Sequence, residues 1–481
     1  MRKLQPARPM YTVSRVIYGY DLGLDSFSKP QNVFISETGD IYISDSGNGR
    51  LIILDAEMKL KEVMSEFTFE GQTLDVTGLA GVFIDSQNRL YIADPEHERV
   101  LICDGSGAVE RILTLPESSL IPEDFRFIPT KVLADSGGTI YVISQGSFYG
   151  AIMYAPDFSF AGFFGSNRVR VRIQDIPEKI IEKLFSNNEK KGASLQALPY
   201  QFTGFCIDDR DFIYTSTGMI SGWYVTPGQV KKMSPGGVNI LKARVGRNMV
   251  GADYIDFGDI GISVRENNMK RIQDFCDIDV DDNGLIYLLD KTYGRIFIYN
   301  NECVLLNAFG GGAENGKQKG TYAIASSIAV SRSGETIAVT DMNKNSLTIY
   351  LQTPYGELFN EANRLSMNGD YAKALPLWKT VVSEDRNNQL ALRSIAQIFL
   401  AEKEYENALE YARASLDQDT YSQAFIVVRN KYMSRNAWWM TLILISVAAC
   451  AVIAAIRTKK HGLVFAQNRK VRIMYSSILH P

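Results

Sequence analysis

The chain has 481 residues, of which 46% are apolar and 22% charged, with 51 basic against 54 acidic side chains and a formal net charge of −3. This excludes a disordered chain and a polytopic membrane protein, and the absence of a basic excess argues against a nucleic-acid partner. Five scattered cysteines without a CxxC pair (Cys103, Cys206, Cys276, Cys303, Cys450) and three histidines (His97, His461, His480) leave little for a disulfide framework or a zinc site, so no cofactor or metal is expected.

The first ten residues are basic but no apolar core follows them, so no secretory signal is read there. Tyr11–Tyr20 (YTVSRVIYGY) is an orphan strand. Six copies of one pattern then follow, starting at Asn32, Gly81, Lys131, Gly204, Asp277 and Ser327. Each has an apolar strand, a turn, a second strand and, in most copies, a third. Tyr42, Tyr91, Tyr141, Tyr214, Tyr287 and Ala338 are equivalent, at spacings of 49, 50, 73, 73 and 51. Apolar residues alternate at period two in the first strand, as in Val33/Ile35 and Val82/Ile84, which suits a half-buried strand. Gly39, Asn88, Gly138, Asp211, Gly284 and Gly334 occupy the turn, where a positive φ is often required. Fourth strands are expected at Leu60–Phe67 and Val109–Leu115. Four short strands at a period of ~40–50 residues predict a six-bladed β-propeller over residues 1–353. The sixth copy has no fourth strand of its own, so Tyr11–Tyr20 is expected to complete it and close the ring.

Two insertions break the period. In 166–200 an Asp-Ile-Pro-Glu start at Asp175 and apolar residues Ile176, Ile180, Ile181 and Leu184 predict a helix. Residues 218–274 read as loop with little helix. Over 355–435 the period switches to 3.6 and two 34-residue copies are visible, pairing Ala362/Ala396, Tyr371/Tyr405, Ala374/Ala408 and Leu375/Leu409. This is the tetratricopeptide pattern of paired helices. Residues 421–435 form a capping helix. Ala437–Ile456 then gives 20 uncharged residues, enough to span ~30 Å of hydrocarbon, with Trp438 and Trp439 at one interface. The tail 457–481 carries Arg457, Lys459, Lys460, Arg469, Lys470 and Arg472 against Arg429, Lys431 and Arg435 before the span. This bias predicts a cytoplasmic tail and an extracytoplasmic propeller, with a leader missing from the written N-terminus. A tail-anchored chain with a cytoplasmic propeller is the other reading.

The segment DSGNGRLIILD (Asp45–Asp55), with DPEHERVLICD and DKTYGRIFIYN, resembles the NHL repeat. The order of segments is similar to bacterial membrane proteins with an NHL propeller, a tetratricopeptide pair, one span and a Yip1-type domain. VRIMYSSILHP resembles the start of such a domain, so a C-terminal truncation is expected. The fold class is therefore mainly β: an NHL-type six-bladed propeller, a tetratricopeptide-like helical pair and one transmembrane helix.

A wide rigid propeller face and a tetratricopeptide groove held close to a bilayer point to recognition rather than chemistry, while some related propellers are lyases or lactonases. One histidine in the propeller is too few for a zinc lyase. A lactonase-type site would need Asn, Asp and Glu around one divalent ion, for which Asn32, Asp277 and Asp279 are candidates. Asn32, Lys131 and Cys206 are expected at depths similar to Asp277 and Asp279, where polar residues line the channel or bind a small ligand. Asp45, Asp94, Asp290 and Asp341 end second strands. They cap the turn that follows, or form a ring for a cation or sugar. Arg50, Arg99 and Arg295 are expected to pair with nearby carboxylates. His97 is expected exposed and isolated, and Asp281–Gly284 is a hairpin turn rather than a calcium loop. Asn363, Arg364, Met367, Arg393 and Gln397 are the groove candidates for a protein or peptide partner, and an envelope glycan is a further candidate ligand.

Overall fold

The computed structural model describes residues 8–476 except 124, 148, 166–167, 170–197, 200, 219–227, 246–247, 253–254, 256, 259–272 and 313–317. The helix expected at 176–184 and the end of the VRIMYSSILHP tail lie outside the described residues. The chain divides into two compact units, Met1–Met367 and Asn368–Pro481.

The first unit is a six-bladed β-propeller. Blade 1 has strands Pro30–Ile35, Ile41–Asp45, Arg50–Leu54 and Leu60–Met64, paired in chain order. Blades 2, 3 and 5 repeat this order from inner strands Val82–Ile84, Pro129–Ala134 and Phe275–Val280. The turn residues Gly39, Asn88, Gly138, Asp211, Gly284 and Gly334 all have positive φ, between 60° and 87°. The six inner hairpins thus share one turn geometry, with Asn and Asp where glycine is absent. The fourth strands of blades 1 and 2 end at Met64 and Leu113. Beyond Met64, Phe67–Phe69 pairs with Gln72–Leu74 in a separate small hairpin.

Blade 4 differs from the loop expected over 218–274. Val230–Met233 is its third strand, pairing with Ile213–Thr217, and a hairpin of Lys242–Val245 with Asn248–Gly251 follows. Its lysines made it look like loop. Lys232 in fact lays its ammonium over the Phe212 and Tyr214 rings at 4.6 and 4.8 Å.

Blade 6 is closed by the N-terminus. Tyr11–Ile17 pairs antiparallel with Ser346–Gln352, from Tyr11 opposite Gln352 to Ile17 opposite Leu347. Ile17 joins Val33, Ile43, Ile52, Ala338 and Ile349 in one buried cluster between blades 6 and 1. Each of the valine and isoleucine side chains contributes roughly 1.5–3 kcal/mol by leaving water. The Tyr11 hydroxyl donates to the Gly334 carbonyl at 2.7 Å and lies 3.2 Å from the Tyr287 hydroxyl of blade 5. The propeller's two ends are also tied directly, because Thr353 N–H donates to the Met10 carbonyl at 2.9 Å. Helix α1 (Pro354–Met367) starts there and carries buried Tyr355, Phe359, Ala362 and Leu365.

The second unit holds α2 (Tyr371–Glu384), α3 (Gln389–Ala401), α4 (Tyr405–Ala414) and α5 (Gln418–Ser476). Helices α2 and α4 begin 34 residues apart, and Ala374, Ala396 and Ala408 are fully buried. Small side chains at these points allow close helix approach. Asn388 caps α3 by accepting from Ala391 N–H at 2.9 Å, and Asp417 caps α5 through Thr420. Among the described residues one helical stretch, Gln418–Lys460 of α5, is long and apolar enough to cross a membrane, and none of its apolar window is buried.

Candidate functional site

The repeat positions first account for most of the candidate carboxylates. Asp85, Asp135, Asp208 and Asp281 end inner strands, and each accepts from the tyrosine six residues later, at 3.0, 3.0, 3.3 and 3.1 Å. Asp281 Oδ1 also accepts from Asn283 and Leu285 N–H, which is the hairpin-turn role expected of Asp281–Gly284. Burial pushes the Asp281 carboxyl up to about 6.

The aspartates that end second strands serve the blade-to-blade connections. Asp45 is fully buried and accepts from Ser28 N–H at 2.6 Å and Arg50 Nε at 2.7 Å. Asp94 pairs with Arg99 at 2.8 Å. Asp341 accepts from Ala323, Ile324, Asn343 and Lys344 N–H. Asp290 accepts from Asp274 and Thr292 N–H, and burial pushes it up to about 6. In blade 3, Ser144 takes the same place, its Oγ accepting from Ile128 N–H at 2.8 Å. Asp94, Asp290 and Asp341 bond backbone N–H groups of the turn that follows, as the capping reading expects, whereas the backbone partners of Asp45 and Ser144 precede the first strand of their blades. His97 is exposed as expected but is not isolated: its Nδ1 lies 2.9 Å from Asp94 Oδ1, because the tight turn folds the ring back onto that carboxylate.

The channel is where separate blades meet. Register places Asn32 opposite Ser44, Lys131 opposite Ile143, Gly204 opposite Ser216, Asp277 opposite Leu289 and Ser327 opposite Thr340. These are equivalent positions on five inner strands, and four of their side chains bond across the axis. Lys131 Nζ lies 2.7 Å from Asp277 Oδ2 and 3.4 Å from Ser327 Oγ. Ser327 Oγ donates to Asp277 Oδ2 at 2.5 Å and accepts from Asn32 Nδ2 at 2.9 Å. Asn32 Oδ1 accepts from Val82 N–H of blade 2 at 3.0 Å. Asp277 is 1% exposed, and its Oδ1 has no hydrogen-bond partner among the described residues. The two glycines at this level allow the close approach: a Cβ on Gly81 would lie 2.7 Å from Lys131 Cα, and one on Gly204 2.5 Å from Asp277 Oδ1.

This polar plug lies between two cavities. On the side of the inner hairpins is one of about 290 Å³, lined among others by Phe34, Phe83, Leu133, Cys206, Asp279 and Arg332. On the other side is one of about 150 Å³, with Thr130, Thr203, Cys276, Lys291 and Ser326 in its wall. Cys206 is level with Asp279 rather than Asp277, since they face Tyr214 and Tyr287 across their hairpins. Asp279 Oδ2 accepts from Val330 N–H at 2.7 Å and Oδ1 from Val280 N–H at 2.9 Å. Burial, and then the negative charge of Asp277, push its carboxyl up to about 7. Among the described residues no group of three or more His, Cys, Asp or Glu could hold a metal ion.

Asn32, Lys131 and Asp277 are therefore brought together, with Asp279 one level below. Ser327 completes the cluster and was missed. Its signal was its register equivalence to Asp277. The groove candidates divide between the two units: Asn363, Arg364 and Met367 on α1, Arg393 and Gln397 on α3. Asn363 is buried, Arg364 is paired with Glu361 at 2.6 Å, and Met367 Sδ accepts from Asn300 Nδ2 at 3.8 Å. Arg393 and Gln397 are exposed, and Arg393 Nε lies 3.8 Å from Asp417 Oδ2.

No family model and no curated protein matches the chain. Among solved structures it is similar to a virginiamycin B lyase from Staphylococcus aureus, at 9% identity over 71% of this chain and 100% of that one, with a TM-score of 0.42. It is similar to a gluconolactonase from Xanthomonas campestris at 13% identity over 73% and 99% (TM-score 0.42). A hydrazine synthase from Kuenenia stuttgartiensis aligns at 11% identity over 68% and 96% (TM-score 0.41). At these scores none of the likenesses bears on activity.

Proposed function

We propose that this chain is a membrane-anchored recognition scaffold, in which an NHL-like propeller and a tetratricopeptide-like helical pair are held at a bilayer by residues 437–456. The observation that carries this reading is the plug. The charged groups a channel enzyme would present to substrate are spent on each other, with Lys131 2.7 Å from Asp277. A lactonase built on Asn32, Asp277 and Asp279 would have to place a divalent ion beside that ammonium. Coulomb repulsion makes this costly in a low-dielectric site. Recognition instead needs rigid faces, which a closed propeller and stacked helices supply.

The exposed Arg393 and Gln397 on α3 are the surface offered to a protein or peptide, whereas Asn363, Arg364 and Met367 on α1 are engaged within the propeller unit. An envelope glycan is the further ligand class. The basic residues after the span set the tail in the cytoplasm and the propeller outside. In this reading the tail resembles the beginning of a Yip1-type domain. The test is a photo-crosslinking residue at Gln397 in cells, combined with a lactone-opening assay of the purified chain with calcium. Recognition predicts a discrete adduct that is lost in Arg393→Ala, and no turnover above buffer. Calcium-dependent lactone opening, without a discrete adduct, would replace this reading with the hydrolase.

A further inference from the structure

The 290 Å³ cavity on the hairpin side of the plug carries a charge that nothing so far explains. Its lining holds eight carboxylates: Asp277 and Asp279 on an inner strand, and Glu37, Asp85, Asp135, Asp208, Asp209 and Asp211 around the hairpins. Two cations, Lys131 and Arg332, line it as well. Lys131 is held by Asp277, and Arg332 sits 3.6 Å from both Glu37 and Asp282. From outside the lining, Arg89 pairs with Asp85, Lys232 with Asp208 and Arg210 with Asp209. The remainder is a net negative funnel in a chain that is close to neutral overall. Such a funnel focuses its field on a cation.

The wall at the level of Asp279 is specific. Each Asp279 oxygen takes one backbone N–H, which fixes the carboxylate and leaves one lone pair on each oxygen. Equivalent positions on the other five inner strands are Cys206 and the apolar Phe34, Phe83, Leu133 and Ala329. Phe34 and Phe83 meet edge to face at 5.5 Å. Above them is Asp277, which lines the same cavity and whose buried Oδ1 has no partner among the described residues. A hard divalent ion demands six or more oxygens, and at this level the side chains offer only the two of Asp279, beside Cys206 and apolar surface. The volume is at the small end of ligand sites and excludes nucleotides and oligosaccharides.

We propose that this cavity binds an alkylammonium or guanidinium cation. Its charge lies against Asp279, and its methylenes lie against Phe34, Phe83 and Leu133. Aromatic faces and a fixed carboxylate together suit such a group. The cation is a free amine or the lysine or arginine side chain of a partner. The site deepens the recognition reading, and rests on it only in that the occupant leaves chemically unchanged.

The test is calorimetric titration of the full chain in nanodiscs with n-pentylamine, its neutral counterpart 1-pentanol, and the peptide acetyl-Gly-Lys-Gly-amide. The expected result is pentylamine bound about tenfold or more tighter than pentanol, with that advantage lost in Asp279→Asn. Phe83→Leu, which keeps an apolar side chain in place, is expected to weaken pentylamine about threefold. A peptide tighter than pentylamine assigns the site to a partner side chain, and a weaker one assigns it to a free amine. Both support the cation chemistry. Pentylamine no tighter than pentanol would overturn the proposal. So would full affinity in both variants, or in Phe83→Leu alone should Asp279→Asn fail to fold. Loss of cation binding would leave capture by the helical unit untouched. Cation binding together with lactone turnover would sink the scaffold reading and keep the site.

Discussion

Neutralising Lys131 alone should destabilise the propeller more than neutralising Lys131 and Asp277 together. Asp277 is 1% exposed, and its Oδ2 takes Lys131 Nζ at 2.7 Å, Ser327 Oγ at 2.5 Å and Ile328 N–H at 3.1 Å. Lys131→Met leaves two neutral donors and no counter-charge. Breaking a buried pair from one side costs about 3–5 kcal/mol. The Lys131 side chain is 16% exposed at a cavity wall, so the lower end, about 3 kcal/mol, applies here. Lys131→Met with Asp277→Asn removes the orphaned charge and keeps an acceptor for Ile328 N–H. Its expected cost is about 1 kcal/mol. For a unit of this size these losses correspond to melting shifts of roughly 4–6 °C and 1–2 °C. The assay is scanning calorimetry of the full chain, following the propeller transition. A double variant as unstable as Lys131→Met, or Lys131→Met melting with the parent, would refute the pairing as the source of the plug's stability.

Asp45→Ala should cost about 3 kcal/mol, whereas Asp45→Ser should cost about half that, because Ser144 already performs the capping in blade 3. Paired melting curves of the two variants check this. Tyr11→Phe removes the hydroxyl bonded to the Gly334 carbonyl and should cost about 1–2 kcal/mol. Removing residues 1–17 should expose the Ser346–Gln352 edge and cause association visible by light scattering. Asp279 ionises near 7, and Asp281 and Asp290 near 6, against an ordinary 3.8, chiefly through burial. Asp279 also faces Asp277 and Arg332, and Asp290 faces Asp274. The native state therefore holds these protons more tightly than the unfolded chain. Their stabilising contribution is full below about pH 4 and is lost as pH rises towards 7. Urea unfolding at pH 5 and 7 should show a smaller difference in Asp279→Asn than in the parent.

The legible part of this fold was whatever repeats locally. Turn residues at one offset had to adopt positive φ, and Asp/Arg pairs five residues apart met across a single turn, as Asp45 with Arg50 and Asp94 with Arg99. The closing strand was legible from a deficit, since blade 6 had three strands and the N-terminus had one without a partner. The third strand of blade 4 was not, because Val230–Met233 carries two lysines and is only four residues long. The plug was legible in its members but not in its bonds. Lys131 and Asp277 are 146 residues apart, and only ring closure decides that they face each other. The partner of His97 was not legible because a three-residue spacing brings the ring onto Asp94 only in a tight turn.

The most direct test of the scaffold account is protease treatment of intact cells expressing the chain, followed by detection of the propeller. The account predicts that the propeller is digested while the tail after residue 456 survives until lysis. A propeller that is protected in intact cells and cut only after lysis would contradict it. It would place the recognition faces on the cytoplasmic side of the membrane.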